Sequence, residues 1–315
     1  MRKQSWPPYS LVEDSIAAEA TAKLGRLERL YHVGQQHAWD GRKVLAELIA
    51  RHGRPRLPDD RRDAALKMLS ILLWGELAAW AISADLAERI DDIEAKMAAT
   101  SQAHDEARHF YVLRDYLRAL GHPVPRLGGL GRSLLVGILE TQSLAHKLIG
   151  MQLLAESNAL AIFKGLGELR LEPVLTELLP YYEQDESRHV GLGVLYLPKL
   201  LARMTRAEAA RAVAFQLRCV GLLISAGLTM REDFQRIGLD QRKLATHTVA
   251  LQDRIVRDML EAAGRRTGGV INPSKGIGPW VLDLVHPPGG RTTSMQRAAL
   301  RVWTAGARIA DRVLA

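Results

Sequence analysis

The sequence predicts an all-α fold. Apolar residues recur at three- and four-residue intervals along nearly the whole chain, and no run of alternating strand type occurs. Gly and Pro also punctuate several of the gaps between the periodic segments. The periodicity places helices near 11–31, 41–52, 60–90, 93–120, 130–164, 173–196, 206–235, 240–263 and 295–313. Gly53 with Pro55 stops the second, Gly121 with Pro123 the fourth, and Gly165 with Gly167 the fifth. Pro173 suits the first turn of the sixth, where its missing N–H costs nothing. The segment 206–235 holds the longest apolar run, Ala212 to Met230, broken by Gln216 and Arg218. It reads as a buried core helix rather than a membrane span. Residues 265–293, with GRRTGG, NPSKGIGP and HPPGG, read as a long loop region. The expected organisation is a helical domain over 1–264, its central bundle at 60–196, followed by a loop region and a C-terminal amphipathic helix in 265–315.

With 315 residues, 47 % apolar and 25 % charged, the composition is that of a soluble globular protein. No apolar signal region follows MRKQSWPPYS, so a cytoplasmic location is expected. One cysteine, Cys219, leaves no intramolecular disulfide and no Cys-based cluster; it reads as a small buried apolar residue. The net charge of +8 admits an acidic partner. Without a zinc finger, an RNA-binding aromatic signature or a dense Lys/Arg run, nucleic acid is not expected as one.

The helix at 93–120 carries an oddity. One face reads Ala99, Gln102, Glu106, His109, Phe110, Leu113, Leu117, and so places two ionisable groups in an apolar stripe where an unpaired charge is costly. A second copy explains it. DEARH at 105–109 recurs as DESRH at 185–189, and lone glutamates, Glu76 in WGELAAW and Glu156 in LLAESNA, lie thirty residues ahead of Glu106 and Glu186. This is a repeat of two helical hairpins. In each, the two Glu lie at similar depth, roughly 22 Å from the turn at 1.5 Å per residue. Glu at i and His at i+3 share a helix face. Four carboxylates and two imidazoles thus converge in a bundle core, the ligand signature of a dinuclear iron or manganese site. Two dications would neutralise the four carboxylates, and the absence of thiolates argues against structural zinc. Asp105 and Asp185 are candidates to orient the histidine of the opposite pair, with Arg108 and Arg188 neutralising them or forming surface ion pairs. Glu183, one turn before Glu186, is a candidate extra ligand or proton relay, with an exposed carboxylate the simpler alternative. Tyr182 is a candidate redox side chain or a packing residue.

These residues resemble the ferritin-like di-iron carboxylate proteins over Glu76 to His189. The doubled block is most similar to the hydroxylase subunits of bacterial multicomponent monooxygenases and to acyl carrier protein desaturases. The resemblance implies a ferritin-like four-helix bundle with additional N- and C-terminal helices. It implies two iron ions, or manganese with iron, one held by Glu76, Glu106 and His109 and the other by Glu156, Glu186 and His189, with bridging glutamates. There are departures. Leu160 stands where the hydroxylases keep threonine, Leu113 where the ribonucleotide reductase subunit keeps its radical tyrosine, and Tyr182 where arylamine N-oxygenases add a histidine. The chain is also far longer than a storage ferritin.

The activity implied is that of a non-haem oxygenase or oxidase using dioxygen to hydroxylate, desaturate or N-oxygenate an organic, apolar substrate. Electrons would come from a separate donor protein. The alternative is a ferroxidase, or a metal-binding protein without an organic substrate. Leu72, Leu73, Trp80, Phe110, Leu113, Leu160 and Phe163 are the expected walls of an apolar pocket. The terminal helix sets Leu300, Trp303, Ala307, Ala310 and Leu314 against Arg297, Arg301, Arg308 and Arg312. That pattern suits docking on the bundle, or contact of 295–313 with an anionic membrane or acidic carrier; the chain could also pair as a homodimer.

Overall fold

Residues 25–262, 278–288 and 292–315 are described by a computed structural model, and every regular element among them is helical. In chain order these are α1 (Gly25–Gln36), α2 (Gly41–His52), α3 (Arg62–Arg89), α4 (Ile93–Leu120), α5 (Gly129–Glu140) and α6 (Leu144–Leu148). A π-helical segment (Ile149–Ala155) joins α6 to α7 (Glu156–Leu169). Then come α8 (Pro173–Leu201), α9 (Arg206–Thr229), α10 (Arg231–Ile237), α11 (Gln241–Ala262), α12 (Gly278–Val285) and α13 (Ser294–Leu314). Positions 11–24 of the first expected helix lie outside the described residues.

The bundle is two antiparallel hairpins, α3 with α4 and α7 with α8. Local chemistry sets their ends. Asp92 caps α4 by accepting from Ala95 N, and Gly121, at φ 76°, closes it in the left-handed conformation that glycine tolerates. Glu172 caps α8 by accepting from Val174 N and Leu175 N, and the buried Tyr116 hydroxyl donates to the same carboxylate at 2.9 Å. Two apolar clusters fill the bundle, one on each side of the layer that holds the six Glu and His side chains. One takes Leu66, Leu69, Leu72, Leu113, Leu117 and Leu178; the other Ile82, Leu86, Ile90, Ala99, Leu148 and Leu197.

The structure departs from the sequence reading at several helix boundaries, among them Gly165 and Gly167, which lie inside α7 instead of ending it. The single helix expected at 130–164 breaks at Thr141–Ser143, where Ser143 accepts from His146 N and starts α6 without any Gly or Pro. It also carries the π-helical turn, closely packed: a Cβ on Gly193 would lie 2.7 Å from Gln152 Cβ, and one on Gly150 2.6 Å from Ile138 Cγ1. The helix expected at 206–235 bends at Met230 into α10. The region expected as loop contains α12.

The apolar run Ala212–Met230 is not a core helix. Both α3 and α9 are apolar and long enough to cross a bilayer, but 61 % of that stretch is buried in α3 and only 17 % in α9. Cys219 is one of the few buried residues of α9. The helix lies outside the bundle as the wall of cavities, so most of its apolar side chains are half-buried. The last helix packs on α5 and α9. Leu300 and Ala307 are buried, Trp303 Nε1 donates to Ser225 Oγ at 3.1 Å, and Asp311 Oδ1 accepts from Leu130 N at 2.8 Å.

Candidate metal centre

Four helices bring the six side chains together. Glu76 comes from the middle of α3, and Glu106 and His109 sit one turn apart on α4. Glu156 opens α7 directly after the π-helical segment, whose wider turn resets the face that follows it. Glu186 and His189 repeat the α4 arrangement on α8. All six are buried. Ligand atoms of Glu76, Glu106, His109 and Glu186 lie within 4.8 Å of one another, and so do those of Glu106, Glu156, Glu186 and His189. Glu106 and Glu186 belong to both groups, the geometry of bridging carboxylates.

Each imidazole turns Nδ1 inward, His109 to within 3.3 Å of Glu76 and Glu186, and His189 to within 2.9 Å of Glu106. Each Nε2 turns outward and donates across the pair, from His109 to Asp185 at 3.0 Å and from His189 to Asp105 at 3.4 Å. Arg108 and Arg188 each donate to both aspartates, at 2.6–2.9 Å, in a buried ring of four. A surface role for these arginines is therefore set aside.

Burial holds the Glu76 and Glu156 carboxyls well above the usual range. Burial acts alike on Glu106, but the His189 imidazole, with that of His109 beside it, holds it well below. Burial and Glu106 raise Glu186, yet a hydrogen bond from Glu156 and the two imidazoles bring it below its ordinary value. Burial opposes charge on His109 and His189, and the carboxylates around each outweigh it, raising both well above the imidazole range. Asp185 is held far below the carboxylate range against its burial, chiefly by His109.

The donor set fits a pair of metal ions on a direct observation. Three buried atoms at its centre, Glu106 Oε2, His109 Nδ1 and Glu186 Oε1, make no hydrogen bond, and buried polar atoms are seldom left so. Metal ions would satisfy them, and carboxylates with imidazoles and no thiolate suit iron or manganese.

The other candidates divide. Tyr182 is buried against the centre; its ring stacks on His109 at 4.5 Å and its hydroxyl donates to His109 O at 2.8 Å. Glu183 stands apart, half-buried, belonging to neither group of four; its carboxyl is raised by burial while Lys164 pulls the other way. Of the seven expected pocket residues, only Leu72 lines the cavity at the centre. Leu73, Leu113 and Phe163 are packed core, and Trp80, 40 % exposed, meets Phe110 in a tilted contact away from it. Periodicity marks the face that is buried, not where packing leaves a gap.

Three polar residues have no role in the sequence analysis, although Gln102 is placed there on the Glu106–His109 face. Gln102 donates to Glu106 at 3.1 Å and Glu156 at 2.9 Å, and Gln152 donates to Gln102 at 3.2 Å. Each sits one turn before a cluster Glu, which was the available signal. Trp39, between α1 and α2, donates Nε1 to Asp185 at 2.8 Å beneath the Arg108 guanidinium, and no motif marks it.

No family profile and no curated protein sequence matches the chain. Solved structures do. The fold is similar to that of an R2-like ligand-binding oxidase with aerobically reconstituted metal cofactor after photoconversion (TM-score 0.54, 16 % identity), over 78 % of this chain and 93 % of that one. The same figures hold for the oxidase with aerobically reconstituted Mn/Fe cofactor after a long soak and for a variant reconstituted with Fe/Fe. The chain therefore has the ferritin-like helical fold of that group.

Proposed function

We propose that the chain is an oxidoreductase that uses a dinuclear iron, or manganese–iron, centre and dioxygen to oxidise an organic, apolar substrate. The observation that carries this is a cavity of about 520 Å³ that runs from Glu76 and Glu156 to the exposed Arg126 and Arg312. Its volume is in the range of small-molecule sites, roughly 300–1,000 Å³. Leu72, Ala79, Met151 and Leu223 are among its walls, and a Cβ on Gly75 would meet nothing within 4 Å, leaving room beside Glu76. A second apolar cavity of about 310 Å³ shares Ile71, Ile162, Leu223 and Met230 with the first, giving a longer substrate somewhere to extend. A centre that only stored iron would have no use for this apolar approach. The fold's likeness to oxidases carrying Mn/Fe or Fe/Fe supports the same reading.

In this reading Glu76, Glu106, His109, Glu156, Glu186 and His189 hold the ions, which supply the activation of dioxygen. Asp105 and Asp185 fix the imidazoles, Arg108 and Arg188 keep those aspartates charged, and the apolar walls exclude water. Electrons from a donor protein enter at half-buried Trp39, whose indole reaches His109 through Asp185.

The test is oxygen consumption by protein loaded with ferrous iron. The expected result is a single turnover without reductant and continuing turnover with a reductase and an apolar substrate. Gly75→Leu should block substrate binding while metal content stays full. Multiple-turnover oxidation of excess ferrous iron with mineral formation would replace this reading with the ferroxidase one.

A further inference from the structure

The last helix has three faces, not two. The first carries Leu300, Trp303 and Ala307 and packs on the bundle. The second carries Arg297, Arg301, Arg308 and Arg312, all exposed. The third is apolar and points to solvent: Met295 is 81 % exposed, Val302 74 %, Ile309 63 % and Val313 78 %. Seven-residue steps from 295 to 302 to 309 keep these side chains in one stripe, and Ala298 and Ala305, both exposed, lie between it and the arginines. The stripe runs about 27 Å from Met295 to Val313 at 1.5 Å per residue. Isolated exposed apolar residues need no explanation, but four long ones aligned on one helix do.

The charge beside the stripe says what covers it. A surface groove along α13 gathers Arg231 and Arg242 with Arg297, Arg301, Arg308 and Arg312, against Glu232 and Asp240. Arg308 pairs with Glu232 at 2.8 Å and Arg242 with Asp283 at 2.8 Å. Among the described residues, Arg301 and Arg312 have no acidic partner within ion-pair distance. We infer that α13 is a docking face for an anionic lipid bilayer, the third face entering the acyl boundary while the arginines meet the headgroups. A second copy of the chain fits worse, because a two-fold contact through the stripe would bring one arginine row close to its own copy. The helix also lies at the mouth of the cavity that reaches Glu76 and Glu156: Arg308, Asp311 and Arg312 line it. A chain seated on a bilayer by α13 would open that cavity toward the lipid phase, from which an apolar substrate could pass to Glu76 and Glu156. The docking itself does not depend on the oxidase reading.

Co-sedimentation of the full, metal-loaded chain with vesicles of phosphatidylcholine, with and without phosphatidylglycerol, tests this. The expected result is binding to the anionic vesicles, weak binding to neutral ones, and a loss of about tenfold in V302D/I309D. R301Q/R312Q should bind less, and its binding should depend less on salt. Circular dichroism and thermal unfolding establish that each variant is folded, and the milder V302S/I309S should fall between wild type and the aspartate variant. Absence of binding to anionic vesicles would overturn the proposal. So would anionic binding that V302D/I309D leaves intact, the result expected of a face for an acidic protein. A dimer in sedimentation that V302D/I309D dissolves would reassign the stripe to a second copy. None of these readouts is turnover, so failure here leaves the oxidase reading standing.

Discussion

His109 and His189 each divide one ring between two tasks, with Nδ1 in the cluster and Nε2 on the aspartate of the opposite hairpin. Replacing either with Ala removes the only nitrogen donor of its group of four. Metal content, measured by elemental analysis, should then fall well below two ions per chain. Asp185→Asn keeps the shape but weakens the grip on the ring, and should cost about 10–100-fold in metal affinity. The protonation pattern adds a pH dependence. Metal ligands bind in their deprotonated forms, and both imidazoles and the Glu76 and Glu156 carboxyls are shifted toward holding their protons, so affinity should rise with pH and binding should release acid, as calorimetry in buffers of different ionisation enthalpy would record. Trp39→Phe removes the indole donor to Asp185. It should slow reduction by an external donor while leaving metal content unchanged; a rate equal to wild type would move the electron path elsewhere.

At the scale of the element, the helical hairpins and their six converging side chains could be read from the sequence because a period of 3.6 and an offset of 80 are local and repetitive facts. The Asp–Arg blocks were legible for the same reason, and their crossed partners follow from the antiparallel arrangement. What escaped was tertiary. The break at Thr141–Ser143 rests on a side-chain cap, and the π-helical turn after Leu148 has no signature in residue type. The half-buried state of α9 reflects the gap beneath it, which no pattern in its own residues encodes. The π-helical segment makes a prediction here: Gly193→Ala sets a methyl against Gln152 Cβ, a backbone-anchored atom that cannot swing away, and should destabilise the fold by about 1–3 kcal/mol in denaturant melts. The end of α12 makes another. Burial, with Arg231 and Arg242 adding to it, pushes the His286 imidazole down to about 4 from an ordinary 6.5. Between those values the unfolded chain binds the proton and the folded one does not, so this residue's share of stability is full above 6.5 and falls as pH drops toward 4. His286→Gln should flatten that part of the pH–stability curve.

At the scale of the molecule, the polar layer is held between two large apolar clusters that need nothing from it. Chelation should therefore leave far-UV circular dichroism close to that of the loaded protein while lowering the melting temperature; global unfolding on chelation would mean that the metals, and not the clusters, hold the bundle. The eighty-residue repeat also relates the two halves of the centre, and it fails at one telling place. One turn ahead of the duplicated glutamate the first copy has Gln102, whose amide draws on Glu106 and Glu156, and the second has Tyr182, whose ring covers His109. One metal position thus shares its carboxylates with a competing hydrogen-bond donor, and the other has an imidazole pressed by an aromatic face. A two-fold frame with unlike furnishings should distinguish between the ions offered to it. Titrated with one kind of ion, it should fill in two steps of different affinity, and offered two kinds, it should assign each to its own side.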